Sequence, residues 1–205
     1  MTKKLSNSAA LKSKEDLGAR DLIFLLTMRI LLPPDFAGTI DLDADTYMAR
    51  GRNYTVPATE IDLAEARKTF ETNFFAVISI CQAFLPLLIK AKGTIVMIGS
   101  VAGIIPYVFG SVYNASKAAL HSFSDTLRVE LAPFGVNVTT VITGGVQSRI
   151  ARTKRTLQPN SLFTPIKDEY ARRVTHSQDG AMPHAAYARS VVTQVLYGSA
   201  PWRWL

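Results

Sequence analysis

The sequence predicts an α/β fold, a parallel sheet layered between helices, and two observations carry that prediction. After residue 52, segments with helical apolar spacing alternate with short β-branched runs, and a pair of glycines breaks the second run at its carboxyl end. Helix, strand, helix, strand in that order implies right-handed crossovers between parallel strands. Size agrees with this: 205 residues, 48% of them apolar, suffice for one domain with a sizeable core.

The elements follow in chain order. Residues 1–50 show weak periodicity of either kind and are interrupted by prolines and glycines. Within them Leu22 to Leu32 is apolar but contains Arg29 and ends at Pro33-Pro34. It falls short of the ~20 residues of a membrane span, so a buried helix or strand is expected. Glu60 to Ala66 reads as an acidic helix start. From Arg67 to Lys92 the residues Phe70, Phe74, Val77, Ile78, Cys81, Phe84 and Leu88 recur at helical spacing, with Pro86 expected to kink or end the helix. Gly93 to Gly99 encloses an apolar run that reads as a buried parallel strand. Ser111 to Leu131 is a long helix with small residues on one face, and Gly135 to Ile142 is a second strand rich in β-branched residues. Gly144-Gly145 ends that strand, and ligands of open α/β sheets bind beyond the carboxyl ends of strands. Pro165 to Arg173 and Pro183 to Leu196 read as amphipathic helices with proline near the start.

The net charge is +7, most of it carried by residues 56–205, which favours anionic ligands or membrane surfaces. Nucleic acid is not expected, because the basic residues are not interleaved with aromatics in a binding motif. Cys81 is the only cysteine, which excludes an intrachain disulfide and is compatible with a reducing compartment. No signal-peptide core stands in the polar first twenty residues. No metal is expected either: His121, His176 and His184 are widely spaced, and His121 is expected to pack or to meet solvent. Asp41, Asp43 and Asp45 open like a calcium loop, but Thr46 and Arg52 stand where glycine and glutamate are required.

Tyr113-Asn114-Ala115-Ser116-Lys117 puts a phenol and an ammonium on one face of a helix, one turn apart. A nearby cation stabilises phenolate and lowers the tyrosine pKa from its ordinary value of about 10, making a proton donor and acceptor usable near neutral pH. Ser100, at the end of the first strand, is placed to hold a substrate carbonyl and the tyrosine in one hydrogen-bonded line.

Gly99-Ser100, then Val101-Ala102-Gly103, then Tyr113 and a helix of small residues resemble the catalytic core of the classical short-chain dehydrogenase/reductase family. The resemblance implies a Rossmann-like three-layer fold with helices on both faces of a parallel sheet. It also implies an NADP(H)-dependent carbonyl reductase. Carried over by position, Ser100 orients the substrate, Tyr113 is the acid/base, and Lys117 binds the nicotinamide ribose and tunes the tyrosine. Asn73, in Glu71-Thr72-Asn73, matches an asparagine that supports a proton-relay water. Asn73, Tyr113 and Lys117 also count as cofactor-binding. Thr143 to Ser148 stands where the family has a Pro-Gly loop over the nicotinamide, with Gly145, Val146 and Ser148 as cofactor contacts and threonine in place of proline.

A finer likeness, in Arg52-Asn53-Tyr54, Thr143 to Val146 and Ile150-Ala151-Arg152-Thr153, is to the fungal NADPH-dependent 1-acyldihydroxyacetone-phosphate reductase branch of lipid and phosphatidic acid synthesis. It implies a lipid-phosphate ketone as substrate. Arg149, Arg152, Lys154 and Arg155 then either meet the substrate phosphate, with Arg149 and Arg152 the candidates, or form a solvated basic helix end. The resemblance further implies cytoplasmic or endoplasmic reticulum and lipid-droplet placement, peripheral membrane association, and homo-oligomerisation through helices 69–90 and 111–131. A complete member begins with a strand and a Thr-Gly-x-x-x-Gly-x-Gly turn that cradles pyrophosphate. Here Gly18, Gly38 and Gly51 are isolated, and Met48-Ala49-Arg50-Gly51 replaces Asn-Asn-Ala-Gly. Residues 1–50 are therefore expected to be a divergent segment replacing the nucleotide-binding part, and 51–205 the catalytic part of an N-terminally incomplete domain. A non-catalytic homologue acting as an interaction partner is the alternative. The N-terminal segment or a partner must then cover the exposed sheet edge.

Overall fold

The computed structural model describes residues 28–31, 51–148, 150, 155–197 and 203–204. Strand β2, Thr94–Ile98, lies between β1, Met28–Leu31, and β3, Asn137–Val141, and β3 is followed by β4, Arg203–Trp204. The pairs β2·β3 and β3·β4 are parallel, with Thr94 opposite Asn137 and Ile98 opposite Val141.

Alternation along β2 builds both faces of the sheet. Ile95 and Met97 join Val77, Ile80, Leu88, Leu120 and Val138 on one face, while Val96 and Ile98 join Val141 and Val191 on the other. The first face is covered by α2, Ala76–Ala91, and α3, Ser111–Leu131; the second is covered by α5, His184–Tyr197. Burial on both faces is why the strand reads as an unbroken apolar run. Cys81 packs within the first cluster, where burial pushes its thiol up to about 12 and leaves it inert as a nucleophile.

Two points that the sequence left open are fixed in the structure. The edge of β2 is covered by β1 running antiparallel, Met28 opposite Met97 and Leu31 opposite Thr94. An apolar pattern fixes which residues pair and says nothing about strand direction. The rest of Leu22 to Leu32, like most of residues 1–50, lies outside the described residues. Pro86 does not end its helix, which runs on to Ala91 and closes at Lys92 in the left-handed region with φ 46°. Both Pro86 and Gln82, whose carbonyl the proline leaves without an N–H partner, are exposed, so water can take that bond.

Preceding α2 without a break are α1, Leu63–Phe70, and a π-helical stretch, Glu71–Phe75. Asp62 caps α1, its Oδ1 accepting from Ala64 N–H at 2.7 Å and Glu65 N–H at 3.4 Å. The joined run Leu63–Ala91 is long and apolar enough to cross a membrane by length and composition alone, with a mean hydropathy of 2.0 over its most apolar window. In this fold its inner side packs on α3 and the sheet, and only 28% of that window is buried.

Leu120, fully buried between α2 and the sheet, anchors the larger cluster. Leu120→Ala should lower the unfolding free energy by about 3 kcal/mol in urea titration, whereas Val129→Ala on the exposed face should change it by less than about 0.5 kcal/mol. Equal costs at the two positions would contradict this assignment of the core.

Candidate active site

Helix α3 carries Tyr113, Lys117 and His121 at intervals of four, one stripe facing the carboxyl end of β2. There the chain turns through Gly99 and Ser100 into a short 3₁₀ turn, Val101–Gly103. Ser100 is held from two sides: its N–H donates to His121 Nε2 at 3.1 Å, and its Oγ accepts from Ala102 N–H at 3.2 Å. The same hydroxyl lies close enough to the Tyr113 phenol to lower its pKa. Burial pushes the phenol up from its ordinary pKa, against the Ser100 hydroxyl and the positive charge of Arg173, which both pull it down.

Lys117 is buried, and its ammonium donates to the Ile98 carbonyl at 2.9 Å. Burial lowers it to about 8. The sequence reading makes Lys117 the cation that tunes Tyr113; in the structure Arg173 also brings positive charge near the phenol. A buried ammonium must find an acceptor, and the end of β2 supplies one in the Ile98 carbonyl.

Asn73 lies fully buried in the π-helical stretch and fixes the chain before α1. Its Oδ1 accepts from Arg52 N–H at 2.8 Å, and its Nδ2 donates to the Arg52 carbonyl at 2.9 Å and to Ser116 Oγ at 3.0 Å. The asparagine thus ties residue 52 to α3 one position before Lys117.

Thr143 to Ser148 leaves β3 beside this stripe. Val101 N–H donates to the Thr143 carbonyl at 3.0 Å, and Met182 N–H donates to the Gly145 carbonyl at 2.9 Å. Val146 bridges to Met182, and Ser148 N–H donates to Gln178 Oε1 at 2.9 Å. Threonine in the position of the family proline has its own use, since Thr143 Oγ1 and the Tyr187 hydroxyl lie 2.6 Å apart. A Cβ on Gly144 would meet nothing within 4 Å, so the chain is open on that side of Gly144.

Arg149, Arg152 and Lys154 lie outside the described residues. Arg155 is committed elsewhere, 3.6 Å from Glu65 and 4.5 Å from the centre of the Tyr54 ring. Two residues escaped the sequence reading. His121 packs, as expected, but it also accepts from the Ser100 N–H, a role the sequence reading did not assign; its spacing from Tyr113 and Lys117 was the available signal. Its ring also explains two glycines: a Cβ on Gly103 would stand 2.6 Å from His121 Cε1, and one on Gly99 2.9 Å from Cδ2. Arg173 reaches the site from a separate helix, and no local pattern marks it. Among the described residues no group of three His, Cys, Asp or Glu is placed to hold a metal ion. An open concavity of about 610 Å³ lies at the opposite end of the strands, among Thr94, Arg128, Gly135 and Asn137, and lacks a hydroxyl pair of this kind.

Comparison with known proteins agrees with this geometry. The sequence profile described as short chain dehydrogenase matches residues 48–159. The short-chain dehydrogenase fogD of Aspergillus ruber is 40% identical over 157 residues, covering 75% of this chain and 55% of that protein. The NADPH-dependent 1-acyldihydroxyacetone phosphate reductase of Saccharomyces cerevisiae is 40% identical over 167 residues, covering 80% of this chain and 55% of that protein. Among solved structures, a short-chain dehydrogenase from Streptomyces avermitilis aligns with a TM-score of 0.61 at 26% identity, covering 75% of this chain and 56% of that one. The chain spans little more than half the length of these relatives.

The buried lysine gives a test of the site's electrostatics. Between about 8 and its ordinary 10.5, folded Lys117 has lost a proton that the unfolded chain still holds, so its linkage makes stability rise with pH across that window. Lys117→Met removes this linkage. Its stability relative to wild type should be highest below pH 8 and fall by about 3 kcal/mol by pH 10.5. Urea titrations at about pH 7 and about pH 10 measure the change; a pH-independent difference would show that Lys117 does not titrate there.

Proposed function

The chain belongs to the short-chain dehydrogenase family, and from that membership and the site we propose that it reduces the ketone of a 1-acyldihydroxyacetone phosphate with NADPH. The observation that carries this reading is the Ser100 hydroxyl set close enough to the Tyr113 phenol to lower its pKa, with buried Lys117 one turn further along α3. Support for the substrate comes from the yeast relative, whose name states that activity.

The residues present fit the nicotinamide end of such a cofactor. The chain is open on one side of Gly144, and the loop around it is fixed by bonds from Val101, Met182 and Gln178. Asn73, Tyr113, Lys117, Gly145, Val146 and Ser148 are the residues proposed to line it. When bound, the cofactor supplies the hydride that reaches the carbonyl carbon.

Ser100 orients the carbonyl oxygen, and Tyr113 gives that oxygen its proton. A phenol raised by burial stays protonated across neutral pH, which is the form a reduction requires. Lys117, with a pKa near 8, is mostly charged at neutral pH and is proposed to hold the ribose and to feed a proton back toward Tyr113. Asn73 keeps the surrounding helices in register for that transfer.

The acyl chain has an apolar path along Ile104, Ile105 and Val108, all exposed on the loop that joins Ser100 to Tyr113. The same rim suits peripheral contact with a cytoplasmic membrane or lipid-droplet surface, where such substrates reside. Phe75, exposed on the long apolar run, supports self-association through helices 69–90 and 111–131.

Tyr113→Phe should lower NADPH oxidation dependent on 1-acyldihydroxyacetone phosphate by at least about 100-fold, followed by absorbance. Undiminished turnover would sink the assignment. NADPH fluorescence should report saturable binding in the micromolar range. Absence of binding at millimolar cofactor would favour the non-catalytic, interaction-partner reading instead.

A further inference from the structure

Arg173 stands apart from the other arginines whose side chains the structure describes near charged groups. Arg52 and Arg155 both approach Glu65, and Arg172 lies 3.2 Å from Glu169. Arg173 pairs with no carboxylate among the described residues. Its guanidinium lies 4.9 Å from the centre of the Tyr107 ring, and one terminal nitrogen is 3.5 Å from where a Cβ on Gly110 would stand. Tyr107 and Gly110 belong to the loop that joins Ser100 to Tyr113. The charge is close enough to Tyr107 and Tyr113 to act on both.

This cation is partly desolvated, and its Nε is buried without a hydrogen-bond partner. A neighbouring aromatic face compensates only part of that loss. It is also held in place. Helix α4, Lys167–Thr175, which carries it, is fixed by the Tyr170 hydroxyl donating to the Thr55 carbonyl at 3.1 Å. The Tyr170 ring meets Phe109 edge-on with centroids 5.3 Å apart. The terminal nitrogens of this planar, charged fork, held beside the Tyr107 ring with no carboxylate partner among the described residues, match the geometry of a phosphate monoester.

We propose that Arg173 is the anion-recognising residue of this pocket, its guanidinium beside Tyr107 meeting a phosphate carried by the ketone substrate. The identity of the ketone rests on the reductase reading above; the phosphate recognition does not.

Binding, rather than turnover, tests this. Wild type and Arg173→Met are titrated with dihydroxyacetone phosphate, uncharged dihydroxyacetone and inorganic phosphate, with NADP⁺ present, following ligand line broadening by NMR. Wild type should bind the phosphate ester at least about tenfold more tightly than dihydroxyacetone. Arg173→Met should lose that preference while keeping its affinity for dihydroxyacetone and its thermal midpoint. Arg173→Lys, which keeps the charge without the fork, should recover part of it. A preference undiminished in Arg173→Met, or none in wild type, would overturn the proposal. Inorganic phosphate binding as tightly as the ester would overturn the assignment to a substrate group. Failure of the Tyr113→Phe test leaves these outcomes untouched, so the two readings fail separately.

Discussion

Lys117 carries a positive charge into the interior at the end of β2, and a charge in that place constrains what surrounds it. The ammonium donates to the Ile98 carbonyl at 2.9 Å, and that bond ties α3 to the strand end. Burying a cation costs several kcal/mol unless its partners are well placed, so the helix has little freedom to shift. Once α3 is fixed, its four-residue stripe delivers Tyr113 to the Ser100 hydroxyl above Lys117 and His121 to the Ser100 N–H below it. The close approach also accounts for Gly99 and Gly103, where a side chain would collide with the His121 ring. One electrostatic requirement thus sets the spacing of the whole hydroxyl pair.

A second chain of contacts reaches from the other side. Asn73 sits in a π-helical stretch, and such stretches recur at functional positions because they rotate a side chain out of the regular helical frame. Its amide clamps both backbone groups of Arg52 and the hydroxyl of Ser116. Fixing residue 52 fixes Thr55 three residues on, whose carbonyl receives the Tyr170 hydroxyl from α4. Arg173 lies one turn along that helix. The order at the outer cation is therefore traceable, bond by bond, to a buried amide on the opposite side of α3.

Much of the inner site was legible in the sequence because its determinants are local. β2 and β3 announce themselves as apolar, β-branched runs closed by glycine, and helical periodicity puts Tyr113 and Lys117 on one face. What was not legible depends on tertiary distance or on direction. Nothing in Leu22 to Leu32 specifies that its strand runs antiparallel to β2. Pro86 interrupts the helix pattern but not the helix, since exposure lets solvent replace the missing bond. The π-helical turn at Asn73 leaves no mark on composition. Arg155 and Arg173 read alike as basic residues and each lies over a tyrosine ring, yet among the described residues only Arg155 has a carboxylate, Glu65, beside it.

That difference bears on how the outer cation and the proton donor act on each other. Burial raises the Tyr113 phenol while Arg173 lowers it, so the phenol sits between opposing influences. On the proposed role of Arg173, a bound phosphate would cancel much of the guanidinium's field at the phenol. The phenol would then keep its proton over a wider pH range at the moment a ketone stands beside Ser100. Reduction needs the phenol protonated on arrival of the substrate, so recognition of the phosphate and readiness of the acid favour the same state. A neutral ketone would leave Arg173 without an anion and the phenol more readily ionised. Near neutral pH the raised phenol is protonated whichever ketone is bound, so on the proposed role discrimination rests on binding at Arg173, and the same charge would act on the chemical step only in alkaline solution.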